Sequence, residues 1–239
     1  EKLFSGVDEI NSLYKADSGA NKDIKRNAWY SKKFRWFNTE YSYTETVDKI
    51  MKFGYPVKDF LDTDELRWFY SPQDIIDEKK NGPDSLKYRA YGDTVDIKIE
   101  KWMIKSLSSE WIHEFATLTS GKSGSIPLDS LMTREAELGR LVDKSGDDFD
   151  SLWTNGIILR ELLGELAAVT FKAEADSAAD VTLSRLFPDF KDYVVKTVMP
   201  GKLTSTNGFV DSSGAVMWPV KSDYFITGQY EMVSKSLSI

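Results

Sequence analysis

The stretch RNAWYSKKFRWFNTEYSY, from Arg26 to Tyr43, holds seven aromatic residues and four positive charges in eighteen positions. Trp, Tyr and Phe favour the pleated backbone of a half-buried strand, and the aromatic positions partly alternate. Residues 28–43 therefore read as extended structure. In a single strand, Phe37, Tyr41 and Tyr43 share one face, and Phe34 and Trp36 share the other. The segment ELRWFYSP at 65–72 repeats the aromatic-basic mixture. Two such segments side by side would form an aromatic-rich sheet face.

Upstream, Leu3, Phe4, Val7, Ile10 and Leu13 recur at helical spacing in an N-terminal arm, residues 1–25, that ADSGANKD interrupts. Downstream, TETVDKIMKF reads as a short helix stopped at Gly54 and Pro56. VDIKIEKW (95–102) alternates like a strand, and Asn81-Gly82-Pro83 marks a turn, so a β-rich region is expected over roughly 28–105. TSGKSGSIP (119–127) is a long loop or linker. Beyond it the character is helical. DSLWTNGIILRELLGELAAVTFKAEA is the strongest helix, with Leu152, Leu159, Leu162, Leu163 and Leu166 on one side, and FPDFKDYVVKTVM follows as another. The tail is β-like again: GFVDSSGAVMWPV is a hairpin over Ser212-Ser213-Gly214, and YFITGQYEMV a strand. This order predicts an α+β fold. Its mostly antiparallel, aromatic-rich sheet is built from N- and C-terminal segments around a central helical region. A single domain over 1–239 is expected, with 119–127 as a sub-boundary; two domains split near residue 120 is the alternative.

At 239 residues, with 41% hydrophobic and 29% charged, the chain has the balance of a globular protein. It has no cysteine and one histidine. Disulfides, thiolate metal sites, cysteine nucleophiles and two-histidine zinc sites are thereby excluded. The net charge of −7 weighs against a broad nucleic-acid surface, which needs positive excess. No apolar run is long enough for a transmembrane helix, and residues 1–23 lack the apolar core of a signal peptide. A soluble chain without a membrane partner is expected, its location unassigned. It begins with Glu1 rather than Met, which suits a processed N-terminus or a trimmed chain.

Three motifs lack their context. ATLTSGKS (116–123) ends like a phosphate-binding loop, but Ala116 replaces its first glycine and the preceding SEWIHEF looks helical. HEFAT has Thr117 where a zincin helix needs its second histidine. DKSGDDFDSLWT places Asp148 and Thr154 where a calcium loop needs Gly and Glu. A flexible loop, a structural His113 and a solvated acidic turn are the readings kept.

Arg89 in KYRAYG, Ser205-Thr206 in KLTSTNGF and Gln229-x-Glu231 in ITGQYEM follow one another in that order. The series is similar to the R-S-E class of mono-ADP-ribosyltransferases, over about a tenth of the chain. The resemblance implies NAD as cofactor. Arg89 would hold its phosphates, Ser205 would support the nicotinamide pocket, Glu231 would stabilise the ribosyl cation, and Gln229 would select the acceptor. An arginine fork suits a pyrophosphate, and a carboxylate suits a developing oxocarbenium ion.

The leading expectation is nevertheless a non-enzymatic assembly or interaction subunit of a larger complex, such as a virion or another multi-subunit particle. It needs no cofactor, and its partners are protein subunits in an oligomer or hetero-complex. Trp29, Arg35, Trp36, Phe37 and Trp68 are the interface candidates, because Trp, Tyr and Arg dominate interface energetics. The ADP-ribosyltransferase is the first alternative. A single-stranded nucleic-acid binder, which interleaves aromatics with cations, is the second.

Overall fold

The computed structural model describes residues 4–16, 24–49, 53–186, 192–221, 224 and 228–239. In chain order its elements are α1 (Val7–Ala16), β1 (Ile24–Arg35), β2 (Asn38–Lys49), α2 (Thr63–Phe69), α3 (Gln73–Asn81) and α4 (Ser85–Thr119). There follow α5 (Leu128–Met132), α6 (Glu135–Ser145), α7 (Phe149–Thr154), α8 (Ile157–Leu163), α9 (Glu165–Thr170) and α10 (Lys172–Leu186). The tail supplies β3 (Tyr193–Thr197), β4 (Lys202–Thr206), β5 (Phe209–Val210), β6 (Val216–Val220) and β7 (Tyr230–Ser238). The fold is α+β, with antiparallel sheets from N- and C-terminal strands and helices between them. The chain divides into two compact units. One comprises Glu1–Lys52, Thr63–Gly92 and Pro188–Ile239; the other comprises Phe53–Asp62 and Asp93–Phe187.

In the first unit a four-stranded sheet runs β1-β2-β7-β4 and a three-stranded sheet runs β3-β6-β5. β1 and β2 form a long hairpin, from Ile24 opposite Lys49 to Arg35 opposite Asn38. Only Trp36 and Phe37 join the strands, so the segment read as one strand reverses on itself. Phe34 lies opposite Thr39 and shares a face with Tyr41 and Tyr43, which corrects the face assignment made from sequence. Thr44–Lys49 is strand rather than helix. Its β-branched Thr44, Thr46 and Val47 suit the pleat, and β7 pairs with it from Thr44 opposite Val233 to Val47 opposite Tyr230.

The inner face packs Tyr43, Val47, Tyr230 and Met232 with Val216, Trp218 and Val220 of β6 and with Tyr224. Asn207 ties the two sheets together. Its Oδ1 accepts from Trp218 Nε1 and from the Val233 N–H, both at 2.8 Å, and its Nδ2 donates to the Glu231 carbonyl at 2.6 Å. The next residue favours glycine, because a Cβ on Gly208 would lie 2.6 Å from the Trp218 ring and from a Val216 methyl and would force them to shift. ELRWFYSP is not a second aromatic strand. Glu65 and Trp68, three apart and buried, define the inward side of α2, and Trp68 stacks on Tyr88 and meets Tyr91 edge-on.

The second unit is helical. VDIKIEKW lies inside α4, not in a strand: Val95, Trp102, Ser106 and Ser109 carry a helical burial period straight through it, and no proline interrupts the helix. The β-rich region expected over 28–105 therefore ends at Lys49. The single leucine helix is broken into α7–α10, with Gly156 at φ 69° and Gly164 at φ 85° at two of the breaks. Leu159, Leu162 and Leu163 are in the core with Trp111, Phe115 and Phe171. Leu166, displaced by the break at Gly164, is 83% exposed. Within FPDFKDYVVKTVM, Tyr193–Thr197 is β3 rather than helix, paired with β6 through a run of β-branched residues; Pro188 lies outside the described residues.

Leu162→Ala should lower stability by about 2–5 kcal/mol, the range for a large-to-small change in a packed core. Gly208→Ala should lower it by about 1–3 kcal/mol, because the added methyl overlaps Trp218. Urea titrations of both variants against wild type measure these losses.

Candidate functional site

Three of the exposed large apolar residues described in the first unit lie together at the apex of the β1–β2 hairpin. Phe34 is 73% exposed, Trp36 87% and Phe37 84%. Trp36 has φ 52° and is the one non-glycine residue with positive φ among the described residues. A two-residue hairpin turn with positive φ at its first central position is ordinarily glycine, and a bulky side chain there is strained by about 1–3 kcal/mol. Folding alone would not choose tryptophan at this position.

Below the apex the same hairpin carries cations and further rings. Tyr30 and Tyr41 face each other with ring centroids 6.2 Å apart, and Lys32 Nζ lies 5.8 Å from the centre of the Tyr41 ring. Trp29, also exposed, shares the opposite face with Lys33 and Arg35 in the alternation of β1. Arg35 Nε lies 3.1 Å from Glu40.

Four of the five interface candidates are exposed on one hairpin: Arg35, Trp36 and Phe37 at its apex, and Trp29 six residues before Arg35 on β1. Trp68 does not join them, being buried between α2 and the first turns of α4. Phe34, Tyr30 and Lys32 complete the surface. An Arg-Trp-Phe-Asn turn, which lacks a glycine, hid the reversal that brings them there.

The positions that resemble a transferase triad are placed as follows. Arg89 donates from Nε to the Lys80 carbonyl at 3.0 Å and from Nη2 to Asn81 Oδ1 at 3.2 Å, so its guanidinium holds the end of α3. Ser205 is exposed opposite Lys235. Glu231, exposed on the same face of β7, is four residues from Lys235, roughly 13 Å along a strand. Gln229 is exposed just before β7. The hydroxyls flanking Ser205 are structural: Thr204 and Thr206 donate to the carbonyls of Lys235 and Val233 at 3.0 and 2.8 Å.

One ionisable cluster lies inside the first unit. Glu45 is 1% exposed and accepts hydrogen bonds from the hydroxyls of Tyr14 and Tyr43. The Arg26 guanidinium lies over the rings of Tyr14 and Tyr193, 5.2 and 5.4 Å from their centroids. Burial pushes the Glu45 pKa up, against the lowering effect of the two hydroxyls and the Arg26 charge. Burial likewise pushes the phenols of Tyr14, Tyr43 and Tyr193 upward, which keeps them protonated as donors. The cluster fastens α1 to the sheet and is closed to solvent at its carboxylate.

No family model, curated protein or solved structure matches this chain. Among the described residues no group of three or more His, Asp and Glu could hold a metal ion, and no helix is long and apolar enough to cross a membrane.

A carboxyl whose folded pKa is raised favours the fold more when protonated than when ionised. Its contribution is full below the ordinary value of 4.5 and is lost as the pH rises through the folded pKa. Wild type should therefore gain stability relative to Glu45→Gln as the pH falls from neutrality toward that value. Paired urea titrations across this range measure the difference.

Proposed function

We propose that this protein is a non-enzymatic assembly or interaction subunit that docks onto a protein partner through the apex of the β1–β2 hairpin. The observation that carries this reading is Trp36, 87% exposed and held at a positive φ that favours glycine. Strained residues concentrate where a binding role maintains them. Interface centres are rich in Trp, Tyr and Arg and are packed apolar patches with a polar rim. Phe34, Trp36 and Phe37 supply such a centre, and Lys32, Lys33 and Arg35 supply the rim. The rest of the chain is acidic enough to bring the net charge to −7. That favours a discrete docking patch over a surface that tracks phosphates.

Trp36→Gly separates binding from folding. It should leave stability unchanged or raise it by up to about 1 kcal/mol, because glycine adopts positive φ without strain. It should weaken docking by about 2 kcal/mol or more. A photo-crosslinking amino acid at Phe37 captures the partner in an extract of the source cells. Excess unlabelled wild type should suppress the adduct and Trp36→Gly should not. Equal suppression by both would contradict the reading.

A further inference from the structure

β1 is an edge strand, and Asn11 meets its outer edge at Ala28. The side chain of Asn11, from α1, donates through Nδ2 to the Ala28 carbonyl and accepts from the Ala28 N–H, both at 2.8 Å. Ala28 therefore directs its backbone groups away from β2. Outward and inward residues alternate in an antiparallel ladder. Tyr30, Lys32 and Phe34 must then also turn their N–H and C=O groups outward, and among the described residues no strand lies beyond them. Every residue of β1 from Trp29 to Arg35 is exposed, so the strand runs past the part that its own unit covers.

We propose, building on the docking reading above, that the edge of β1 from Tyr30 to Phe34 takes up an extended acidic segment of the partner protein as an added strand. Strand addition supplies main-chain hydrogen bonds for affinity and alternate side chains for specificity. Asn11 shows the two-point pairing that this edge accepts, and it sets where the free stretch begins. Charge selects the occupant. Residues 30–35 hold Lys32, Lys33 and Arg35 and no acid. Arg35 is matched by Glu40, whereas neither lysine has an ion-pair partner among the described residues. Acidic residues on an incoming strand would lie across from them, and opposite charges across a ladder attract. A second copy fits poorly. With Ala28 occupied, antiparallel pairing of two such edges over Tyr30–Phe34 centres on Lys32 facing Lys32, a repulsive contact. Lysines that only guard an edge against aggregation are the competing explanation, and binding distinguishes the two.

The full chain, isotopically labelled, is titrated with a synthetic peptide of alternating Glu and Val and with its Lys-Val counterpart, and amide exchange is followed. The Glu-Val peptide should slow exchange at Tyr30, Lys32 and Phe34 at least ten-fold, and the Lys-Val peptide should not. Lys32→Pro should abolish the effect. The Lys32 N–H makes no bond to β2, so proline there leaves the hairpin ladder intact. The double variant Lys32→Glu/Lys33→Glu retains the N–H groups and should weaken peptide binding at least ten-fold; it serves if the proline variant unfolds. Lack of protection, equal protection by both peptides, or protection by an oligothymidylate would overturn the proposal. So would concentration-dependent protection of the same amides without peptide, which would assign the edge to a second copy. Absent edge protection with a persisting Phe37 adduct would sink strand addition alone. Edge protection with no specific Phe37 adduct would instead sink apex docking.

Discussion

The register between β1 and β2 is the constraint on which the first unit depends. With Arg35 opposite Asn38, only Trp36 and Phe37 remain to turn the chain. The parity of that pairing sends Tyr43, Glu45 and Val47 inward, where β6 and α1 meet them. It also turns the backbone of Ala28, and by alternation that of Tyr30, Lys32 and Phe34, toward the open edge. A slip of β2 by one residue would exchange its two faces, turning Val47 outward and Thr46 and Asp48 inward. Such a slip is opposed along the whole hairpin, because β7 pairs with β2 from Thr39 to Val47.

Two polar devices brace the sheet that carries this register. A buried carboxylate is costly unless its hydrogen bonds are made. Glu45 meets that demand with two phenols and the neighbouring charge of Arg26, and in doing so it fixes α1 against β2. Asn207 does the corresponding work at the other side of the sheet, joining β7 to Trp218. The base of the hairpin is thus over-determined. Its apex, by contrast, presents three large rings to solvent around a strained tryptophan. Rigid support beneath an apolar, strained tip is the arrangement expected when the tip is kept for a partner.

Much of the architecture was legible in the sequence because period and turn chemistry report it directly. The α+β order, the hairpin over Ser212-Ser213-Gly214 and the core role of Leu159, Leu162 and Leu163 all followed from spacing, and the N-terminal arm, which spacing left between helical and irregular, is helical over Val7–Ala16. Errors arose where local pattern competed with context. VDIKIEKW alternates over eight residues, yet it lies within a 35-residue helix whose burial period overrides it. YVVKT sits in a plausible helical run, but its β-branched residues pair with β6. Arg35, Trp36 and Phe37 stood out as interface candidates by composition alone, and Phe34 did not. Their grouping was not legible, because the central residues of the turn, Trp36 and Phe37, are neither glycine, asparagine nor proline. Trp68 shared that composition and proved to be interior, since only spacing, with Glu65 three residues before it, separates the two cases.

The account rests on Trp36 being left uncovered by its own chain and covered by a partner. Fluorine NMR of the protein labelled with fluorotryptophan, read with a soluble paramagnetic agent, reports this directly. In the isolated protein, Trp36 should be relaxed strongly at every concentration, while the buried Trp68, Trp102 and Trp218 should be spared. In the complex purified from its source, Trp36 should become as protected as those three. A Trp36 signal already shielded in the isolated chain, or still open to the agent in the complex, would contradict the account.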